Sequence, residues 1–432
     1  MDTSSLYRAV WRWHFYAGLI VLPVLLWMAT TGALYLYKPE VERIAYGGWT
    51  QRERSDAPLA LGELIASVSA QANGRVTSIE RPADPAASWR LGVEGTGGAQ
   101  TAFVEPATGL VLGTVDAGGI AETIKRLHSL TVAGPIGNTL VEIVAGWAIL
   151  LCLSGFYLWW PRAGQRALAL RGRPSSRRFW RNFHASTGAI VGAVILFLAV
   201  TGMPWSEQWG GWLRSGVNAA GLGRPPSPGP SPWEHKAHAA ADRVMPWSMQ
   251  HGGHPMDMAP GDIGPDHILT IAAARGIGPG WTLTLPRAPG DPYLVTPPAG
   301  RASDARVLWL AATDGKVLQD VGFARFGAGA QAIEWGIAVH QGQQYGESNR
   351  LLMLLGCIGV WLLALSAPIL WWKRRRGGRL SAPPRADDPR RTRGVAAIML
   401  AIGALFPLTG ATMLAALLGE WGMARLAARR YP

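Results

Sequence analysis

Apolar and polar positions fall in blocks along the 432-residue chain. Four blocks are almost wholly apolar, running from Phe15 to Tyr37, Val141 to Trp160, Phe183 to Trp205 and Leu351 to Trp372, and a fifth covers about Val395 to Leu418. At about 1.5 Å per residue each is long enough to cross a hydrocarbon core of about 30 Å as a helix. The first is read as a span and not a cleaved signal, because it ends in the aromatic interfacial anchor Leu-Tyr-Leu-Tyr-Lys. Between the blocks the period changes. Ala60 to Ala72 predicts a short amphipathic helix, and Ser88 to Val93 and Thr101 to Val104 predict strands. FVEPATGLVLG predicts a hairpin with Gly109 at positive φ. Later, ILTIAAARG predicts a helix and WLAATDGKVLQ a hairpin turning at Asp314-Gly315. Two small α+β domains are expected between the spans.

The blocks repeat. His14, Gly18, Thr31 and Gly32 recur 170 residues later as His184, Gly188, Thr201 and Gly202. His128, Gly134, Trp159 and Trp160 recur 212 residues later as His340, Gly346, Trp371 and Trp372. The expected fold is a mainly α-helical membrane protein with tandemly duplicated pairs of transmembrane helices plus a fifth C-terminal span. The spans lie within 1–37, 128–160, 183–205, 340–372 and 394–418. Extramembrane parts cover 38–127 and 206–339, basic loops cover 161–182 and 373–393, and a tail covers 419–432.

Composition agrees, at 49% hydrophobic and only 16% charged residues. The net charge of +13 would suggest nucleic acid in a soluble protein. Here the basic residues bunch beside apolar blocks, as in Arg162 to Arg181 and Lys373 to Arg376, which marks loops held in the cytoplasm. That sets the N-terminus inside and both small domains outside. Cys152 and Cys357 both lie in apolar blocks and form neither a disulfide framework nor a CxxC site.

This topology locates the four repeated histidines. His14 and His184 enter from the cytoplasmic face, whereas His128 and His340 precede spans near the outer face. A lone interfacial histidine is an ordinary amphipathic residue, but four matched ones, two per leaflet, predict axial ligands of two haems. Within one repeat His14 and His128 lie a span apart, so ligation must cross the halves: His14 with His184 for an inner haem, His128 with His340 for an outer one. Arg12 and Arg181 inside, with Lys125 and Arg126 outside, are the candidate propionate contacts. The Trp-Trp pairs read as aromatic anchors, and Thr31-Gly32 and Thr201-Gly202 as small-residue helix packing.

The H-x3-G and TG positions, TVAGPIGNTLVEIVAGWAILLCLSGFYLWWPR, TGMPWSEQWG and VHQGQQYGESNRLLMLL together resemble the PepSY-associated transmembrane family over nearly the whole chain. The resemblance implies PepSY-like outer domains and an inner-membrane protein of the ferric-siderophore reductase type. It also implies two b-type haems and electron passage to a periplasmic acceptor. The family's histidine positions match His14, His128, His184 and His340.

The segment 223–260 is a Pro-rich insert containing His235, His238, Met245 and Met249, and its densest part holds His251, His254, Met256 and Met258. Imidazole and thioether ligands suit copper, so a Cu(II) reductase or copper-handling protein is the alternative reading. A non-redox membrane protein binding a peptide or protease partner is a further one, and a transporter built on parallel repeats another. No P-loop, GxGxxG or HExxH motif occurs. The inner loops are too short for a flavin or nicotinamide domain, so the electron donor, a quinol or a cytoplasmic reductase, is expected to be a separate molecule.

Overall fold

The structure is a computed structural model, and it describes residues 4–51, 57–161, 168, 170–226, 261–298, 300–375, 397 and 399–430. Residues 227–260 of the His/Met insert, with the copper candidates His251, His254, Met256 and Met258, lie outside the described residues.

The first half of the chain forms α1 (Ser4–Leu36), α2 (Lys38–Tyr46), α3 (Leu61–Gln71), β1 (Gly74–Arg81), β2 (Trp89–Gly95), β3 (Gly98–Glu105), β4 (Leu110–Asp116), α4 (Gly119–His128) and α5 (Gly134–Trp159). The second half forms α6 (Arg177–Gly202), α7 (Gln208–Ala219), α8 (Pro265–Ala274), β5 (Trp281–Thr284), β6 (Tyr293–Thr296), β7 (Arg306–Leu310), β8 (Val317–Gly322), α9 (Ala328–His340) and α10 (Glu347–Trp372). Element by element the two halves follow one order. A last helix, α11, covers Pro407–Arg430.

These elements divide into two compact units, one of Met1–Leu36, Lys125–Arg214 and Glu347–Pro432, the other of Tyr37–Ile124 and Ser215–Gly346. In the helical unit, α1 packs against α5 and α10, and α6 packs against the same two, so α1 and α6 stand diagonally across the bundle. The helical stretches Leu6–Leu36, Thr131–Trp159, Arg177–Trp205 and Glu347–Trp372 are each long and apolar enough to cross a membrane. Bare backbone sets how closely they approach. On α10, a Cβ at Gly359 would collide with Val191 of α6, and one at Gly356 would lie 2.9 Å from Val194. Gly359→Ala is therefore expected to destabilise the bundle by about 1–3 kcal/mol through overpacking. Thermal unfolding in detergent checks this against Gly62→Ala, where a Cβ meets nothing within 4 Å.

Glu142 is a buried carboxylate inside a span. Its Oε2 accepts the N–H groups of Gln208 and Trp209 at the start of α7 (3.2 and 3.3 Å), while Asn138 Oδ1 accepts from Glu207 N at 2.9 Å. The carboxyl oxygen thus meets the N-terminal end of a helix and serves as a structural cap.

The fifth apolar block, expected as one span over 394–418, is not a single helix. Helical residues 399–405 give way to a bend at Phe406, and α11 begins at Pro407, which has no N–H to continue the ladder. Gly403 and Gly410 meet so closely across the bend that a Cβ on Gly410 would lie 2.7 Å from the Cα of Gly403.

The other unit also departs from expectation. In place of two separate small sheets, all eight strands form one antiparallel sheet in the order β4-β3-β2-β1-β5-β6-β7-β8. The seam is β1 with β5, where Ser78, Ile79, Glu80 and Arg81 face Thr284, Leu283, Thr282 and Trp281. Each half alone would leave that strand's N–H and C=O groups as an open edge, and pairing satisfies both. Leu61, Leu64 and Val68 of α3 and Ile268 and Ala272 of α8 share one core with Ile79, Leu91, Leu283 and Val295 of the sheet. The halves are also linked through Asp266 of α8, whose carboxylate accepts from Leu61 N at 2.9 Å and caps α3. Gly109 and Gly315 take the positive φ expected of the two hairpins, 69° and 67°.

Candidate functional site

The diagonal placement of α1 and α6 brings His14 and His184 together inside the helical unit. Their ring centroids are 6.4 Å apart and their planes stand at 90°. A serine from a neighbouring helix holds each ring. His14 Nδ1 bonds Ser154 Oγ of α5 at 2.9 Å, and His184 Nδ1 bonds Ser366 Oγ of α10 at 2.8 Å. The serines use their own single proton elsewhere, because Ser154 Oγ donates to Leu151 O and Ser366 Oγ to Leu363 O, each at 3.1 Å. A hydroxyl that has already donated can only accept, so Nδ1 of each imidazole carries the proton. Nε2 of each ring is then left with its lone pair.

Small residues complete the arrangement. Gly18 and Gly188 lie one turn after the histidines, and a Cβ on either would come to 3.8 Å from Leu151 or Leu363 respectively. Gly155, next to Ser154, faces His14, with a would-be Cβ 3.2 Å from Cε1. Ser154 and Ser366 are separated by 212 residues, the interval of the even spans, as are Leu151 and Leu363. The serine and leucine around one histidine are therefore repeated around the other.

Two imidazoles on opposite sides of one metal ion, with metal–nitrogen bonds of about 2 Å, hold their ring centres about 6 Å apart. The 6.4 Å separation fits that arrangement. Among the described residues no group of three or more His, Cys, Asp or Glu side chains is gathered that could hold a bare ion. A two-imidazole set suits a metal whose other positions come from its own macrocycle, as in haem.

His128 ends α4 and also belongs to the helical unit. Its Nδ1 lies 3.1 Å from Thr31 Oγ1, and that hydroxyl donates to Trp27 O at 2.9 Å. The same reasoning makes Nδ1–H of His128 a donor. Gly32 makes room, since a Cβ there would stand 3.2 Å from His128 Cε1. Thr31 and Gly32, read from sequence as helix packing, are thus the contacts of His128. Along α1 the 17 residues from His14 to Thr31 span about 25 Å at the helical rise. Thr201 Oγ1 repeats the donation of Thr31, to Phe197 O at 2.7 Å. His340 ends α9 in the sheet-bearing unit, followed by Gly342 and Gly346 at positive φ.

The candidate propionate contacts take varied positions. Arg12 places its guanidinium 5.2 Å above the Tyr16 ring. Arg181 is exposed and reaches Asn182 Oδ1 at 3.4 Å. Lys125 and Arg126 lie in the last turn of α4 with His128, the Arg126 side chain exposed. A cation not singled out from sequence, Arg374, lies 5.2 Å from both the Trp11 and Phe15 rings, and Trp371 packs on Phe15. The end of the unit bearing His14 and His184 is strongly basic: residues 170–206 and 348–375 contain no Asp or Glu.

A family-level sequence model described as the PepSY-associated TM region matches residues 11–374, a stretch that includes all four repeated histidines. A comparison with curated proteins finds no match.

Proposed function

Since the chain belongs to the PepSY-associated TM family, we propose that it is a di-haem electron-transfer protein of the bacterial inner membrane that reduces a periplasmic metal complex, first of all ferric siderophore iron. The observation that carries this reading is the His14–His184 pair: two rings on diagonal helices, 6.4 Å apart, each with Nδ1 held by a serine and Nε2 left to bind. His14 and His184 would hold the inner b-type haem, and the 212-residue repeat of the sequence makes His128 and His340 the candidate ligands of an outer one. Bound there, haem supplies reversible one-electron chemistry with no coordination position left open to substrate.

The chain's own part is to bind and orient. The apolar bundle excludes water, the serine hydroxyls fix the imidazoles, and the glycines after the histidines leave room for a flat ring beside the helix backbone. The basic loops after α5 and α10 support a cytoplasmic location for the His14 end. A separate quinol or cytoplasmic reductase supplies the electrons. The periplasmic acceptor meets the sheet-bearing unit.

The visible spectrum of the purified protein tests the reading. Two low-spin b-type haems per chain, reduced by dithionite and reoxidised by a ferric chelate, are expected. A folded but colourless protein overturns it.

A further inference from the structure

Both histidines of the inner pair are oriented by neighbouring helices and not by their own. Free rotation about Cβ–Cγ would let each imidazole adopt many planes. The bond from Nδ1–H to a hydroxyl on a different helix selects one, and the hydroxyl is itself fixed by its bond to a carbonyl one turn earlier. Ser366 is fully buried, so no water competes for its bond. The result is two ring planes at 90°. Nothing in the chemistry of ligation alone demands that angle. It follows from the two serines lying on α5 and α10, the helices that flank the α1–α6 diagonal.

We propose that Ser154 and Ser366 are positioning residues that lock the axial imidazoles of the inner site perpendicular to each other and raise the donor strength of both. The proposal rests on the di-haem reading and adds to it an electronic state for one site. Perpendicular imidazole planes leave the two ferric orbitals that interact with them nearly degenerate, which gives a highly anisotropic low-spin electron paramagnetic resonance signal with one large-g feature. Parallel planes lift the degeneracy and give a resolved rhombic spectrum. An Nδ1–H that donates a hydrogen bond also makes Nε2 a stronger donor, which favours the ferric state.

The test uses the full-length oxidised protein in detergent. The signal of the inner site is identified as the one lost in His14→Ala. In the wild type it is expected to be of the highly anisotropic kind. Ser154→Ala and Ser366→Ala should each retain two haems, convert that signal towards a rhombic one, and shift the inner potential upwards while leaving the other haem's potential in place. Ser154→Thr restores a hydroxyl that can make the same two bonds and should restore signal and potential. A rhombic wild-type signal overturns the proposal even if the alanine variants fail to fold. Unchanged spectra and potentials in well-loaded Ser→Ala variants overturn it too, and both results leave the di-haem reading standing. A wild type without haem overturns that reading, and the proposal with it.

Discussion

Alanine at His14 is expected to remove one haem of the two and to abolish reduction of a ferric chelate by the protein, down to the rate of membranes that lack it. Alanine at His184 should give the same optical spectrum and the same loss, because the two ring centroids lie 6.4 Å apart and, on the di-haem reading, either one missing would leave the metal a single protein ligand. Truncating His184 also leaves the fully buried Ser366 hydroxyl with an acceptor unused, an added cost of about 1–3 kcal/mol. Haem content per chain and ferric-chelate reduction in proteoliposomes are the two measurements. Loss of two different haems in the two variants would contradict the pairing.

The second large effect concerns the other pair. On the di-haem reading, His128→Ala and His340→Ala should perturb one and the same haem, spare the signal that depends on His14, and stop reduction just as fully, since electrons would have to pass both sites. Thr31→Val should weaken the same site more mildly. It removes the acceptor for His128 Nδ1–H at 3.1 Å while keeping the shape of the side chain. A second-sphere loss of this kind costs roughly 10–100-fold in metal affinity or activity. Spectra of the four histidine variants side by side decide it: two pairs of matching spectra are expected, and a match between His14→Ala and His128→Ala would break the assignment.

Much of the helical unit was legible because spans and repeats are written in long apolar blocks with chemically loud residues at fixed intervals. The 170-residue interval alone matched His14 to His184 and so pointed to α1 and α6. The serines were equally visible in principle, since Ser154 and Ser366 share the 212-residue interval of the even spans. A serine in an apolar helix, however, has many bland uses, and only the direction of its hydroxyl separates them. Thr31 and Gly32 showed only part of their role for a related reason. Small residues in a span usually serve helix packing, and here the nearest group to Gly32, closer than Cys357 of α10, is an imidazole. The single sheet was hidden because the β1–β5 seam joins segments about 200 residues apart through backbone groups, which leave no residue-type signature. The broken fifth block could have been read from Pro407, whose missing N–H interrupts the ladder whatever its apolar neighbours prefer.

The sheet's seam has a consequence for any shorter form of this molecule. A chain carrying only the first half would end its sheet at β1, with a bare row of donors and acceptors over Ser78 to Arg81. The partner that fits this edge antiparallel, with neighbours in reversed order on the far side, is a second copy of the same chain. Half-length proteins of this architecture would therefore assemble as symmetric dimers, with stability that falls on dilution. Joining two halves in one polypeptide makes the same seam independent of concentration.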